Sequence, residues 1–403
     1  MEFILEIFIV AFILLVALAF YYEHPKAEIP REVDQRIKLY MVHYVINFVF
    51  GLGKIVEKLG ICRQLYVLKC FMYGIPPWKS NNLFIKDLKF AGLSSRVYQP
   101  KAPSAGPRRG LIYFHGGVGQ FGSISMYERL CRCVASESDS VVVCVGYRLA
   151  PKHPYPVQFW DCLTATEYFM TTAEEYGVDP TRIIIFGDSS GGTLTAAVCQ
   201  ALVSRTDLPK VRAQIMIYPF LQGMDFNLPS YQQNGSIPFL LKERTLALGM
   251  QYLNKDLSFM KNILEGSHVP EDLKLKFRKW LSPDNIPMEF KIRGYKPHVS
   301  ASYSEELHNL AKPLFETTFS PLLAEDAIIC QLPETYILTC EYDVVRDDGL
   351  LYKKRLEDNG VPVTWFHLKD GFHGALLLLD YWYLSFPCGR RAMDNVVNFI
   401  KGL

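Results

Sequence analysis

The run Gly187-Asp188-Ser189-Ser190-Gly191-Gly192 places a serine hydroxyl between glycines two residues away on either side. It follows the apolar stretch Ile183 to Phe186 and opens the small-residue stretch Thr193 to Ala197, a strand, sharp turn and helix in sequence. A nucleophilic serine in such a turn sits in a strained backbone, and the flanking glycines remove Cβ atoms that would collide there. Ser189 is thus the candidate nucleophile for acyl transfer. The competing explanation is a glycine-rich phosphate cradle at a helix N-terminus. Asp188 would repel phosphate, and the turn itself spells neither GxGxxG nor GxxxxGK[ST].

A serine of this kind needs a base. Among nine histidines, His373 in Asp370-Gly371-Phe372-His373-Gly374 stands in a glycine-bracketed loop just past the last expected strand. Its rival, His367, lies inside the alternating run Val363 to Leu368, where a histidine is ordinarily packed or solvent-facing. The acid that orients the base is expected directly after the preceding strand, at Asp343. Asp347 and Asp348 begin the next helix, where acidic residues serve the N-terminal dipole. The order Ser189, Asp343, His373 is that of an α/β-hydrolase triad and differs from the orders in chymotrypsin-like and subtilisin-like proteases. His115-Gly116-Gly117 ends another strand, and the N–H groups of Gly116, Gly117 and Ser190 are the expected holders of a tetrahedral oxyanion. His373 would take the Ser189 proton, Asp343 would hold the imidazole, and water would release an acyl-enzyme with no metal or organic cofactor.

These residues need a frame that brings distant strand ends together. Strands are expected at Leu111 to Phe114, Ser140 to Gly146, Arg182 to Phe186, Val211 to Tyr218, Thr335 to Thr339 and Val361 to Leu368. Helices are expected at Ser123 to Ala135, Pro156 to Tyr176, Ser190 to Val203, Asp347 to Asn359 and Arg390 to Ile400. The alternation predicts an α/β fold, a mostly parallel central sheet flanked by helices, over residues 83–403. Residues from about 220 to 325 break the alternation and read as a cap insertion over the site.

The 403 residues are 49% hydrophobic and 21% charged, which suits a large buried core and excludes a disordered chain. Forty-three basic and 41 acidic residues give a net charge of +2 with no block of like charge, so a nucleic-acid partner is not expected. Ten cysteines without a CxxC pair fit neither a disulfide scaffold nor a structural zinc site. Residues 1–25 hold an apolar run, Phe3 to Tyr22, interrupted by Glu6 and about 30 Å long as a helix, the thickness of a bilayer core. It reads as an uncleaved signal anchor, although Ala17-Leu18-Ala19 resembles a cleavage site. Residues 26–82 read as an amphipathic helical cap region, with apolar positions at Ile37, Tyr40, Tyr44, Val45, Phe48, Leu52, Ile55, Val56 and Leu59. The cations Lys26, Arg31, Arg36 and Lys38 after the anchor favour a cytosolic domain. The sequon Asn234-Gly235-Ser236 is a glycosylation site only in the lumen and argues the other way.

Taken with Tyr147-Arg148-Leu149-Ala150-Pro151 and Val178-Asp179-Pro180, these motifs make the chain similar, over nearly its whole length, to the hormone-sensitive-lipase branch of the α/β hydrolases. Within that branch it resembles the arylacetamide deacetylase-like group. The resemblance implies a serine carboxylesterase or amidase acting on lipophilic acyl compounds. It also implies a single-pass type II anchor in the endoplasmic reticulum membrane with the catalytic domain in the lumen. Two departures stand out. The family's His-Gly-Gly-Gly followed by Trp-Cys reads His115-Gly116-Gly117-Val118-Gly119-Gln120 here, so a valine replaces the third glycine and Gln120 replaces a cysteine expected to pair with Cys340. The departures keep open a catalytically silent lipid-binding or interaction module, and residues 1 to 60 could carry a separate membrane-shaping or lipid-transfer role.

Overall fold

The computed structural model describes residues 2–23, 26–72 and 82–403. Met1, and residues 24–25 and 73–81 of the expected anchor and cap regions, lie outside the described residues. Eight strands form one sheet: β1 (Leu83–Phe90), β2 (Leu93–Pro100), β3 (Arg108–Phe114), β4 (Val141–Val145), β5 (Val178–Asp188), β6 (Ala213–Ile217), β7 (Glu334–Tyr342) and β8 (Val363–Phe372). Their order is β1-β2-β4-β3-β5-β6-β7-β8. From β4 to β8 all neighbours are parallel, while β1 and β2 form an antiparallel hairpin that extends the sheet beyond β4. The hairpin adds two strands to the six expected. Its signal was faint because β1 breaks the alternation of a half-buried strand, with Lys86 and Asp87 exposed side by side and Lys89 exposed after them. The turn at Ala91 and Gly92 takes positive φ at both residues, as a type I′ hairpin loop requires.

Central strands are apolar on both faces because helices cover both. Ile112, Phe114, Ile183 and Ile185 pack with Phe159 and Phe169 of α5 (Val157–Thr172) and with Leu194 and Val198 of α6 (Ser190–Leu202). Leu111, Tyr113, Ile184 and Phe186 point the other way, onto Leu130 and Val134 of α4 (Glu128–Ser138) and onto Met393, Val396 and Ile400 of the last helix, Pro387–Gly402. The chain is an α/β-hydrolase fold. Between β6 and β7 the described residues form short helices and turns, including Lys242–Tyr252 and Glu271–Leu281, and no strand.

Among the described residues three helices precede the sheet: α1 (Glu2–Tyr22), α2 (Arg36–Lys58) and α3 (Gln64–Met72). α1 is apolar apart from Glu2 and Glu6 and compatible with a membrane span. α2 is also long and apolar enough to cross a membrane, with a mean hydropathy of 1.5 in its most apolar stretch. The face it buries overlaps the expected stripe only in part: Ile55 is buried, and Tyr40, Phe48, Leu52 and Val56 are half-buried. Leu39, His43, Asn47, Val49, Gly51, Gly53 and Ile55 are buried, whereas Ile37, Tyr44, Val45 and Leu59 are exposed. The reason is close helix packing. At Gly51 an added Cβ would stand 2.0 Å from the Ala19 carbonyl oxygen of α1, so α2 turns its glycines inward. His43 and Asn47, one turn apart, bond to each other at 2.8 Å, and Arg244 of the insertion reaches Asn47 Oδ1 at 2.9 Å and Glu23 at 2.6 Å.

Candidate active site

The parallel register of β3 and β5 pairs Phe114 with Gly187, which sets His115, Gly116 and Gly117 beside the turn at Ser189. Ser189 has φ 53 and ψ −125, a strained conformation outside the ordinary regions. Both motif glycines are needed sterically. A Cβ at Gly187 would lie 2.3 Å from the Gly191 oxygen, and one at Gly191 would lie 2.0 Å from the Phe114 oxygen. The Ser189 N–H donates to Ile217 O of β6 at 2.9 Å, which pins the turn.

The structure brings Ser189, His373 and Asp343 together. His373 Nε2 lies 2.8 Å from Ser189 Oγ, and Nδ1 lies 2.8 Å from Asp343 Oδ2. A carboxylate at Nδ1 keeps the proton on that nitrogen and leaves Nε2 to accept from the serine. Asp343 is buried, and its other oxygen accepts from the Val345 N–H at 3.0 Å. The Tyr218 ring lies 4.6 Å from the His373 ring and closes one side of it. His367 is elsewhere, packed on β8 between Thr339 Oγ1 at 2.9 Å and Glu341 Oε2 at 3.2 Å. Asp347 and Asp348 do more than serve a helix dipole, for both are buried crosslinks to the insertion. Asp347 accepts from the Ser230 N–H at 2.6 Å and Asp348 from the Leu221 N–H at 2.9 Å. Burial pushes the Asp348 carboxyl up to about 8.

The glycine loop corrects one expectation. The Gly116 N–H donates to Asp188 Oδ1 at 2.8 Å, so it is spent on holding the loop and does not face the serine. Asp188 also accepts from Tyr113 Oη at 2.6 Å and Tyr127 Oη at 3.2 Å, and burial raises its pKa. This carboxylate, weighed in the sequence only as a bar to phosphate, is the tie between loop and turn. Its signal was a charged residue at the buried end of an apolar strand, which must be fully hydrogen-bonded. Among the described residues, the N–H groups of Gly117 and Ser190 meet no acceptor and stay open to a substrate oxygen. Val118 has φ 55, a left-handed conformation that a β-branched residue adopts at a cost of about 1–3 kcal/mol. Its N–H donates to Ser190 Oγ at 2.9 Å. His115 is buried between the rings of Tyr127 and Tyr147, with Tyr147 Oη 3.0 Å from its Nδ1, and burial pushes it down to about 4.

Two further expectations are answered by contacts. Cys340 is a free, buried thiol of β7, and Gln120 instead donates to Leu248 O of the insertion at 2.5 Å. Asn234, the expected acceptor of a glycan, is taken up by the fold. It is fully buried, its Nδ2 donates to Asp343 O at 2.8 Å and Glu341 O at 3.0 Å, and its Oδ1 accepts from Arg293 at 3.1 Å. The sequon is a structural bracket for the turn that carries Asp343. Ser189, Ser190 and Val118 open onto a cavity whose apolar wall includes Phe220, Leu246, Met250 and Phe319.

An α/β hydrolase fold family model matches residues 111–273 and 295–377, more than half of the chain. Arylacetamide deacetylase-like 4 of Homo sapiens is 45% identical over 376 residues, covering 93% of this chain and 92% of that protein. Arylacetamide deacetylase of Bos taurus is 38% identical over 381 residues, covering 92% of this chain and 94% of that one. Among solved structures, a thermophilic carboxylesterase from a metagenomic library superposes with a TM-score of 0.61 at 26% identity, covering 85% of this chain and 96% of that one. With this serine turn, this sheet order and relatives that align over more than nine-tenths of both chains, the chain belongs to the arylacetamide deacetylase-like group of the α/β hydrolases and is an esterase-like hydrolase.

Proposed function

We propose that the protein cleaves carboxylic esters or amides of lipophilic substrates through an acyl-enzyme on Ser189. The observation that carries this is the unbroken relay from Asp343 through His373 to Ser189, each step 2.8 Å, at the floor of an apolar cavity. As Ser189 Oγ attacks the carbonyl carbon, its proton passes to His373 Nε2, and Asp343 stabilises the resulting imidazolium. Gly117 and Ser190 N–H groups receive the oxyanion. Collapse of the tetrahedral species sends the proton from His373 to the leaving oxygen or nitrogen, and water activated by the same histidine then frees the acid. Residues 1–25 serve as an uncleaved signal anchor in the endoplasmic reticulum membrane, with the catalytic domain lumenal. The apolar α1 and the family resemblance support that placement, and Asn234 lends it none. α2, α3 and the insertion act as the cap.

One observation favours a second reading, a weak or silent hydrolase used to bind lipid. Val118 turns its N–H to Ser190 rather than toward the serine oxygen, so two donors remain in the hole. A fluorophosphonate probe separates the two. Labelling confined to Ser189, lost in Ser189→Ala and kept in Ser190→Ala, supports catalysis; an unlabelled wild type sinks it. Ser189→Ala, Asp343→Asn and His373→Ala should each lower kcat by about 10⁴-fold or more, with little further loss in combination because the three act as one unit. His367→Ala should stay near wild type.

A further inference from the structure

α2 carries two apolar faces, one packed on the domain and the other largely exposed. Leu39 of the inner face lies against Phe372 and Phe386, next to the histidine loop. On the outer face, Ile37, Met41, Tyr44 and Val45 recur at helical spacing, with Ile37 79% and Met41 66% exposed. A solvent-facing stripe ordinarily carries charge. Here the neighbouring cations bend away from it, Arg36 Nε donating to Ile29 O at 2.7 Å and Lys38 Nζ to Ser385 O at 2.8 Å. The Lys38 bond joins the stripe to a second exposed apolar patch, Trp382, Tyr383 and Leu384. The first two are 80% and 72% exposed, with ring centroids 4.0 Å apart.

The position of α1 says what covers this face. Its Phe20 ring lies 6.2 Å from Tyr44 and 6.4 Å from Phe48, so α1 leaves the domain along the Tyr44 side of α2. A bilayer holding α1 begins at that level. Paired tryptophan and tyrosine rings beside an uncharged helical stripe are the composition that partitions into a membrane interface. We propose that the outer stripe of α2 and Trp382–Leu384 together form a second membrane contact, lying flat in the interface of a phospholipid bilayer. This rests on the reading of α1 as the anchor. The contact fixes the domain's tilt and presents the end of the sheet that carries His373 to the lipid, so that an apolar ester leaves the bilayer beside the site.

The test uses the full chain in phosphatidylcholine vesicles whose acyl chains carry bromine, a collisional quencher of tryptophan. Bromolipid should quench the wild type more than Trp382→Phe, and Met41→Trp in the Trp382→Phe background should regain quenching. Turnover of a water-soluble ester, unchanged in all three, reports intact folding. A chain that floats with the vesicles while Trp382 answers only to aqueous iodide overturns the contact and leaves the anchor standing. A chain that does not float overturns the anchor and the contact with it. A face shielded from both quenchers, with the protein sedimenting as a dimer, assigns it to a second copy and overturns the proposal.

Discussion

At the residue scale, the glycine loop decides how well the site works. Gly117 has φ 116, and an added Cβ would stand 2.6 Å from the Phe121 oxygen, which is backbone and cannot swing aside. Gly117→Ala should therefore tilt the N–H that the oxyanion needs. The loss of one such donor typically costs about 100- to 1,000-fold in kcat with KM less affected, because the oxyanion exists mainly in the transition state. Val118→Gly removes a strained side chain instead. It should raise stability by about 1 kcal/mol and leave kcat on short p-nitrophenyl esters within a few-fold of wild type. A large rescue by Val118→Gly would mean that valine has disabled the hole in the natural protein.

At the scale of elements, the loop is clamped from outside the sheet. Phe121, whose N–H donates to Gly117 O at 2.8 Å, packs with Val49 of α2 and Leu68 of α3. Gln120 holds the same loop to the helix Lys242–Tyr252 through Leu248 O. The amino-terminal helices are thus part of the support for catalysis. Leu68→Ala should cost about 2–5 kcal/mol in thermal or denaturant unfolding and lower kcat more than it changes KM. A chain of residues 61–403 lacks Leu39 and Val49 and should lose turnover on a soluble ester. Full activity in that truncation would separate the amino-terminal helices from the site.

At the scale of the whole molecule, topology and pH are the global properties in question. A buried Asn234 bracketing Asp343 should carry no glycan even in the lumen. Endoglycosidase H should leave the mobility unchanged, while protection of the domain from protease in intact microsomes checks lumenal placement. Asn234→Ala should cost about 1–3 kcal/mol, because two buried carbonyls lose their donor. Acid should also unfold the protein through His115. Its folded-state pKa is pushed below the ordinary 6.5 to about 4, so in that window the unfolded chain takes up a proton that the fold refuses. Stability is present above pH about 6.5 and is lost as pH falls toward about 4, by up to about 3 kcal/mol from this residue. Unfolding midpoints measured across that range should fall in the wild type and fall less in His115→Gln.

The sequence by itself determined the α/β class, six of the eight strands, the serine turn and the residues now found within hydrogen-bonding reach of it. These features are local: an apolar strand, a glycine-framed turn and a following helix are dictated by neighbouring side chains. It also supplied His373 over His367 and Asp343 over Asp347 and Asp348, because strand ends can be counted along the chain. What a donor points at could not be read this way. Gly116 and Gly117 are alike as residues, and only the parallel register of β3 and β5 directs one N–H to Asp188 and leaves the other open. Asn234 is a sequon in the chain and a buried bracket in the fold, since burial depends on Glu341 and Asp343 more than a hundred residues away. The faces of α2 were likewise only partly legible, with Ile55 buried as the stripe implied and Ile37, Tyr44, Val45 and Leu59 exposed against it, because both faces are apolar and the contact that chooses between them, Ala19 against Gly51, joins two separate helices.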